Sequence, residues 1–198
     1  SLFSCHLTTI FSFMMLKYLP NTFSLARLLL IAPFLAYLHQ ANYPVALYVF
    51  LFAGLTDALD GWLARHFHWQ SRFGSLIDPV ADKLLIASSF ISLALIGKLP
   101  WWLVTLVFVR DLTISFGVLA WQRFRPERPD FKPTWLSKIN TVLQLTLVIF
   151  CLVDLAFLKA LPEITRTLIA LTTLTTTATY IDYVWTWGKK AATPALPQ

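Results

Sequence analysis

Four of the ten acidic residues of this chain stand between positions 57 and 82. Asp57 and Asp60 are three apart, and Asp78 and Asp82 are four apart. On a helix, either spacing puts both carboxylates of a pair on one face. Such pairs can hold cations, and one member can serve as a base. Gly61, Ala64, Arg65, Gly74 and Ser75 surround them. Gly61 removes a side chain directly after an acid. Glycine inside a helix costs about 1 kcal/mol against alanine, so its use suits a close approach to the backbone. Arg65 can donate to a phosphate. Gly74 precedes a predicted helix whose first N–H groups suit an anion. Four bare carboxylates cannot share a partly buried pocket, because two like charges 4 Å apart repel by about 4 kcal/mol at an effective dielectric of 20. Protons or cations must neutralise them. Oxygen-only donors, with no cysteine or well-placed histidine beside them, favour a hard ion, Mg²⁺ or Mn²⁺. Carboxylates, arginine and a helix N-terminus together describe a pyrophosphate site. On these residues alone, an intramembrane acid cluster serving ion permeation or packing is the alternative. His66 and His68, in the loop beside Arg65, read as solvated or headgroup-facing.

The elements that must position these residues are long and apolar. Of 198 residues, 57% are hydrophobic and 13% charged, about half the usual charged share of a soluble domain. Mean hydropathy is +0.65. Disorder, a coiled coil and an ordinary soluble domain are excluded, and a polytopic membrane protein fits. A span needs about 20 apolar residues, so the chain holds at most about six. The expected fold is all-α, with six transmembrane helices over 21–39, 43–65, 76–97, 100–123, 134–156 and 161–187. Proline near four of the starts (Pro20, Pro44, Pro100, Pro162) supports these boundaries. Ten Lys and Arg, at 17, 65, 72, 123, 125, 128, 132, 138, 189 and 190, fall on one side of that arrangement. Lys98, Lys159 and Arg166 fall on the other, while Arg27, Lys83 and Arg110 lie inside spans. The positive-inside rule then sets both termini and the 65–77 loop on the cytoplasmic-type side. Two cysteines, Cys5 and Cys151, make no disulfide framework and no cysteine-based zinc site. Residues 1–18 read as an N-terminal extension or interfacial segment, 19–189 as one membrane domain and 190–198 as a disordered tail. Trp101, Trp102, Trp135, Trp185 and Trp187 read as an interfacial belt. The threonines from 172 to 179 read as small-residue helix packing.

A second polar group follows. Arg110 and Asp111 lie inside the fourth span, about 100° apart on a helix, so they need not pair. Ser137, Asn140, Thr141 and Gln144 have i, i+3, i+4, i+7 spacing and form one polar face of the fifth. With Lys132 and Lys138 they predict a basic, hydrogen-bonding pocket for an anionic acceptor, or a patch for lipid headgroups.

The run Asp57-x2-Asp60-Gly61-x2-Ala64-Arg65-x8-Gly74-x3-Asp78-x3-Asp82 resembles the signature of the CDP-alcohol phosphatidyltransferase family at all eight positions and every gap. The resemblance implies six spans and a cytoplasmic-side active site. It implies that Asp57, Asp60 and Asp78 bind two divalent ions, Mg²⁺ or Mn²⁺, with Asp82 near the second and acting as general base. It implies that Gly61, Ala64, Arg65, Gly74 and Ser75 receive the CDP part of CDP-diacylglycerol. Leu19-Pro20-Asn21 with Ser24 and Arg27, Ala53–Asp57, and Lys132–Thr141 with Gln144 are most similar to the CMP-forming cardiolipin synthases of that family. Phosphatidylglycerol is then the expected acceptor, and Arg110, Lys132, Ser137, Lys138, Asn140 and Thr141 the expected acceptor site. Glycerol 3-phosphate, the acceptor of phosphatidylglycerophosphate synthases, is the runner-up. An intramembrane prenyltransferase and a divalent cation transporter are remoter alternatives. Membrane lipids are expected partners and nucleic acid is not; the family implies a homodimer. The implied location is a bacterial or mitochondrial inner membrane.

Overall fold

The computed structural model describes residues 19–67, 74–124, 135–158 and 161–192. Six long helices run through them: α1 (Leu19–His39), α2 (Tyr43–Phe67), α3 (Gly74–Leu95), α4 (Trp101–Phe124), α5 (Trp135–Val153) and α6 (Pro162–Ala192). A π-helical segment, Asp154–Leu158, continues α5. No strand occurs among the described residues. Gly74 is the first residue of α3 instead of preceding it. Residues 190–192, expected in the tail, form the last turn of α6, where two alanines favour continuation. The expected segment 1–18, and 193–198 of the expected tail, lie outside the described residues.

Helix starts follow from main-chain acceptors beside each proline. The Asn42 carbonyl accepts from the Ala46 N–H at 3.0 Å, and the Leu161 carbonyl from Thr165 at 3.2 Å. The ends of α1 and α3 share one device. The Asn42 N–H reaches the Tyr37 carbonyl at 2.9 Å while Ala41 reaches Leu38 at 3.2 Å; Lys98 reaches Leu93 at 2.9 Å while Gly97 reaches Ala94 at 3.0 Å. Both are left-handed C-terminal closures. Gly97 takes the required positive φ of 81°, and Ala41 takes 58°.

The helices gather into two compact units. The first holds the described residues up to Ser92 together with the stretch that begins at Leu152. In it, Phe34 and Leu38 of α1 and Ala46, Leu47, Phe50 and Ala53 of α2 are buried. The rings of Phe34 and Phe50 meet at 5.6 Å between centroids. Asp154–Leu158 packs against α2. The second unit holds Leu93–Cys151 and the described residues beyond Ala160. There α4 packs against α6.

The outer face of α2 is as apolar as its inner one. On α2, Tyr48, Leu51, Phe52, Leu55 and Leu59 are all exposed at i, i+3, i+4, i+7 and i+11. A helix that is hydrophobic all round belongs in a core or in lipid, and an exposed stripe of this kind is unsuited to water. Among the described residues, Trp135–Phe157 is the one stretch long and apolar enough to cross a membrane by length and composition, with a mean hydropathy of 2.0. Asp57 and Asp60 interrupt α2, Arg110 and Asp111 interrupt α4, and threonines dilute α6.

Candidate active site

All four signature aspartates lie on helical backbone in the first unit: Asp57 and Asp60 on α2, Asp78 and Asp82 on α3. Gly61, Ala64 and Arg65 follow on α2, and Gly74 and Ser75 open α3. The helical spacings expected of both acid pairs therefore hold in the backbone. The side chains of Asp57, Asp60, Ala64, Arg65, Ser75 and Asp78 lie outside the described residues, as do the surroundings of Gly61 and Gly74.

Asp82 is described, and its side chain is 45% exposed. Oδ1 of Asp82 accepts a hydrogen bond from Nη1 of Arg27. Arg27 belongs to α1 and is 1% exposed. It lies seven and eleven residues before Phe34 and Leu38, on the face that α1 buries. This pair was not foreseen in the sequence. The available signal was an arginine inside an apolar span, which requires a counter-charge. Asp82 is the one signature aspartate whose side chain is described, and a half-open carboxylate of this kind suits a hard divalent cation.

The second unit carries the other polar group. Arg110 is buried at the end of a row formed by Leu103 and Val107 on α4. Its Nη1 donates to Oδ1 of Asp111 at 2.7 Å, and its Nη2 to Oγ of Ser137 at 2.8 Å. The neighbours in sequence therefore do pair: the long arginine side chain spans the 100° between them. Arg110 also acts electrostatically on Tyr183 of α6, which the sequence did not single out.

The polar face expected on α5 divides three ways. Ser137 meets Arg110. Thr141 is exposed, and its hydroxyl donates back to the Ser137 carbonyl at 3.1 Å. Asn140 and Gln144 are buried. Oδ1 of Asn140 accepts from the hydroxyls of Thr175 and Thr176 at 2.9 and 2.8 Å. Thr172, Thr176 and Thr179, at i, i+4 and i+7, are buried too, so the threonine run packs within the unit, as expected. Asn140 thus joins α5 to α6 through Oδ1, while its Nδ2 is buried without a hydrogen-bond partner. Lys138 is exposed, with Nζ 5.1 Å from the centroid of the Trp135 ring. Lys132 lies outside the described residues. Trp101, Trp102, Trp135 and Trp185 are exposed near helix ends.

The profile of the CDP-alcohol phosphatidyltransferase family matches residues 17–186. The chain belongs to that family. A probable phosphatidylglycerophosphate synthase of Mycobacterium tuberculosis is 37% identical over 132 residues, covering 64% of this chain and 61% of its own length. A CMP-forming cardiolipin synthase of Homo sapiens is 34% identical over 189 residues, covering 87% of this chain and 62% of its own. A CDP-diacylglycerol–glycerol-3-phosphate 3-phosphatidyltransferase of Salmonella choleraesuis is 36% identical over 137 residues, covering 64% and 72%. The chain thus spans about three fifths of the length of the first two relatives.

Proposed function

We propose that this protein transfers a phosphatidyl group from CDP-diacylglycerol to an alcohol, with release of CMP. The observation that carries this reading is the full aspartate–glycine signature on α2 and α3, inside the region matched by the family. Asp57, Asp60 and Asp78 would hold Mg²⁺ or Mn²⁺, with Asp82 beside them, and the ions would neutralise charge on the pyrophosphate. Gly61, Ala64, Arg65, Gly74 and Ser75 receive the CDP part. Asp82 takes the proton of the acceptor hydroxyl. The acceptor oxygen forms a bond to the phosphorus that bears diacylglycerol as the bond from that phosphorus to the CMP oxygen breaks.

Phosphatidylglycerol is the acceptor we favour, giving cardiolipin. The support is the extent of similarity, since the human cardiolipin synthase aligns with 87% of the chain. Glycerol 3-phosphate is the second reading, favoured by the higher identity to the mycobacterial relative. Arg110, Lys132, Ser137, Lys138, Asn140 and Thr141 form the proposed acceptor site. The chain crosses an inner membrane six times, with both termini and the site on the cytoplasmic-type side and a second copy as partner. The exposed apolar stripe of α2 and the charge asymmetry support that topology.

The test supplies CDP-diacylglycerol and Mg²⁺ with either acceptor separately and reads lipid product and CMP by mass spectrometry. Cardiolipin formed only with phosphatidylglycerol is the expected outcome. Phosphatidylglycerophosphate formed only with glycerol 3-phosphate would move the protein to the second reading. CMP release should stop in EDTA and return with Mg²⁺ or Mn²⁺; release that survives chelation would refute the metal assignment.

A further inference from the structure

The catalytic scheme above gives Arg27 no task, yet the fold invests heavily in it. Its side chain is covered almost completely in the first unit, and an uncompensated guanidinium there would be costly. Asp82, on a different helix and 55 residues away in sequence, is an anion that meets it. The pair is lopsided: the guanidinium side chain is 1% exposed and the carboxylate side chain 45%. One end is anchored among the α1–α2 core residues, while the other offers an accessible face beside the start of α3. This geometry suits a fixed donor that aims a working group. It is less suited to a mere structural bridge, for which an open carboxylate serves no purpose.

We propose that Arg27 is a positioning residue for Asp82: its guanidinium fixes the direction of the carboxylate and engages one of its oxygens, so that Asp82 accepts the acceptor's proton instead of joining Asp57, Asp60 and Asp78 as a full metal ligand. The inference rests on the phosphatidyltransferase reading. It rests on the contact between Arg27 and Asp82, the one of the four aspartates whose side chain is described. A lysine at 27 keeps the charge and loses the planar fork that sets direction.

The experiment compares wild type, Arg27→Lys, Arg27→Gln and Asp82→Asn, and adds Arg27→Lys in the Asp82→Asn background. CMP release gives kcat and the KM for CDP-diacylglycerol, and electron paramagnetic resonance gives Mn²⁺ affinity without substrate. Arg27→Lys should lower kcat about 10–100-fold, the range for residues that orient a working group, and shift KM less than about twofold. In the Asp82→Asn background the same change should cost less than about twofold, because the two residues act as one unit. Mn²⁺ affinity should stay equal or tighten in both Arg27 variants. Additive losses in kcat, unchanged turnover, or Mn²⁺ affinity that falls with kcat would each overturn the proposal. If Arg27→Gln does not fold, Arg27→Lys keeps the buried cation and carries the test. Absent CMP release from wild type would refute the functional reading instead, and the Mn²⁺ comparison would still judge the role of Arg27.

Discussion

At Arg110, two hydrogen bonds leave one guanidinium in different directions, to Asp111 on its own helix and to Ser137 on the next. The first cancels charge and the second sets direction. A lysine there lacks the planar fork that puts a separate nitrogen on each partner. Arg110→Lys should therefore raise the KM for the acceptor about tenfold and leave that for CDP-diacylglycerol unchanged. Such a change corresponds to about 1.4 kcal/mol, the size expected for one hydrogen bond to a charged group. Steady-state CMP release with each substrate varied in turn checks this. Equal rises in both constants would remove Arg110 from the acceptor site. The sequence placed Arg110 in an apolar span but did not reveal its partners, because i and i+1 spacing argues against pairing unless the side chain is long. Arg27 was equally visible and equally unassigned: its partner is distant in sequence, and no local pattern links the two.

Among the elements, the two closures at the ends of α1 and α3 differ in one residue. Gly97 adopts its left-handed conformation without strain, and Ala41 does not. A side chain in that region costs about 1–2 kcal/mol. Ala41→Gly should raise stability by somewhat less than this, given the entropy that glycine adds to the unfolded chain. Gly97→Ala should lower it by about 1 kcal/mol. Thermal unfolding in detergent followed by circular dichroism tests both, and equal effects of the two changes would contradict the assignment. The α5–α6 seam makes a second contrast. Oδ1 of Asn140 accepts from two threonine hydroxyls, whereas Nδ2 of Asn140, Nε2 of Gln144 and Oγ1 of Thr172 are buried without a hydrogen-bond partner. Thr176→Val removes a bond worth about 0.6 kcal/mol on average between membrane helices. Gln144→Leu removes only an unmet donor, so it should be neutral or stabilising. A Gln144→Leu loss larger than that of Thr176→Val would show that Gln144 serves something besides packing. The helices themselves were legible in the sequence, since proline and apolar run length mark their starts. Which face of α5 turned inward was not: a stripe of Ser, Asn, Thr and Gln reads alike whether it meets a ligand or a row of threonines.

For the whole molecule, the proposed topology predicts opposite accessibility for the two ends of the charge count. In a variant lacking Cys5 and Cys151, a cysteine at Lys190 should react with an impermeant maleimide only after the cytoplasmic-type side is opened. One at Lys98 should react from the other side. Reaction of both from one side would refute the six-span arrangement. The class of protein was legible here because the signature is a local string: eight residues with fixed gaps survive in sequence what a dispersed acceptor pocket does not.

The first compact unit takes in the segment that begins at Leu152, and α2 lies against Asp154–Leu158. The ribosome delivers α1, α2 and α3 well before that segment exists. The helices that carry all four aspartates therefore wait, with one flank of α2 uncovered, while α4 and most of α5 are translated. A nascent chain stalled before Asp154 would hold the complete signature and still lack the piece that closes the unit around α2, so maturation of the site is tied to synthesis of a helix that contributes none of its aspartates.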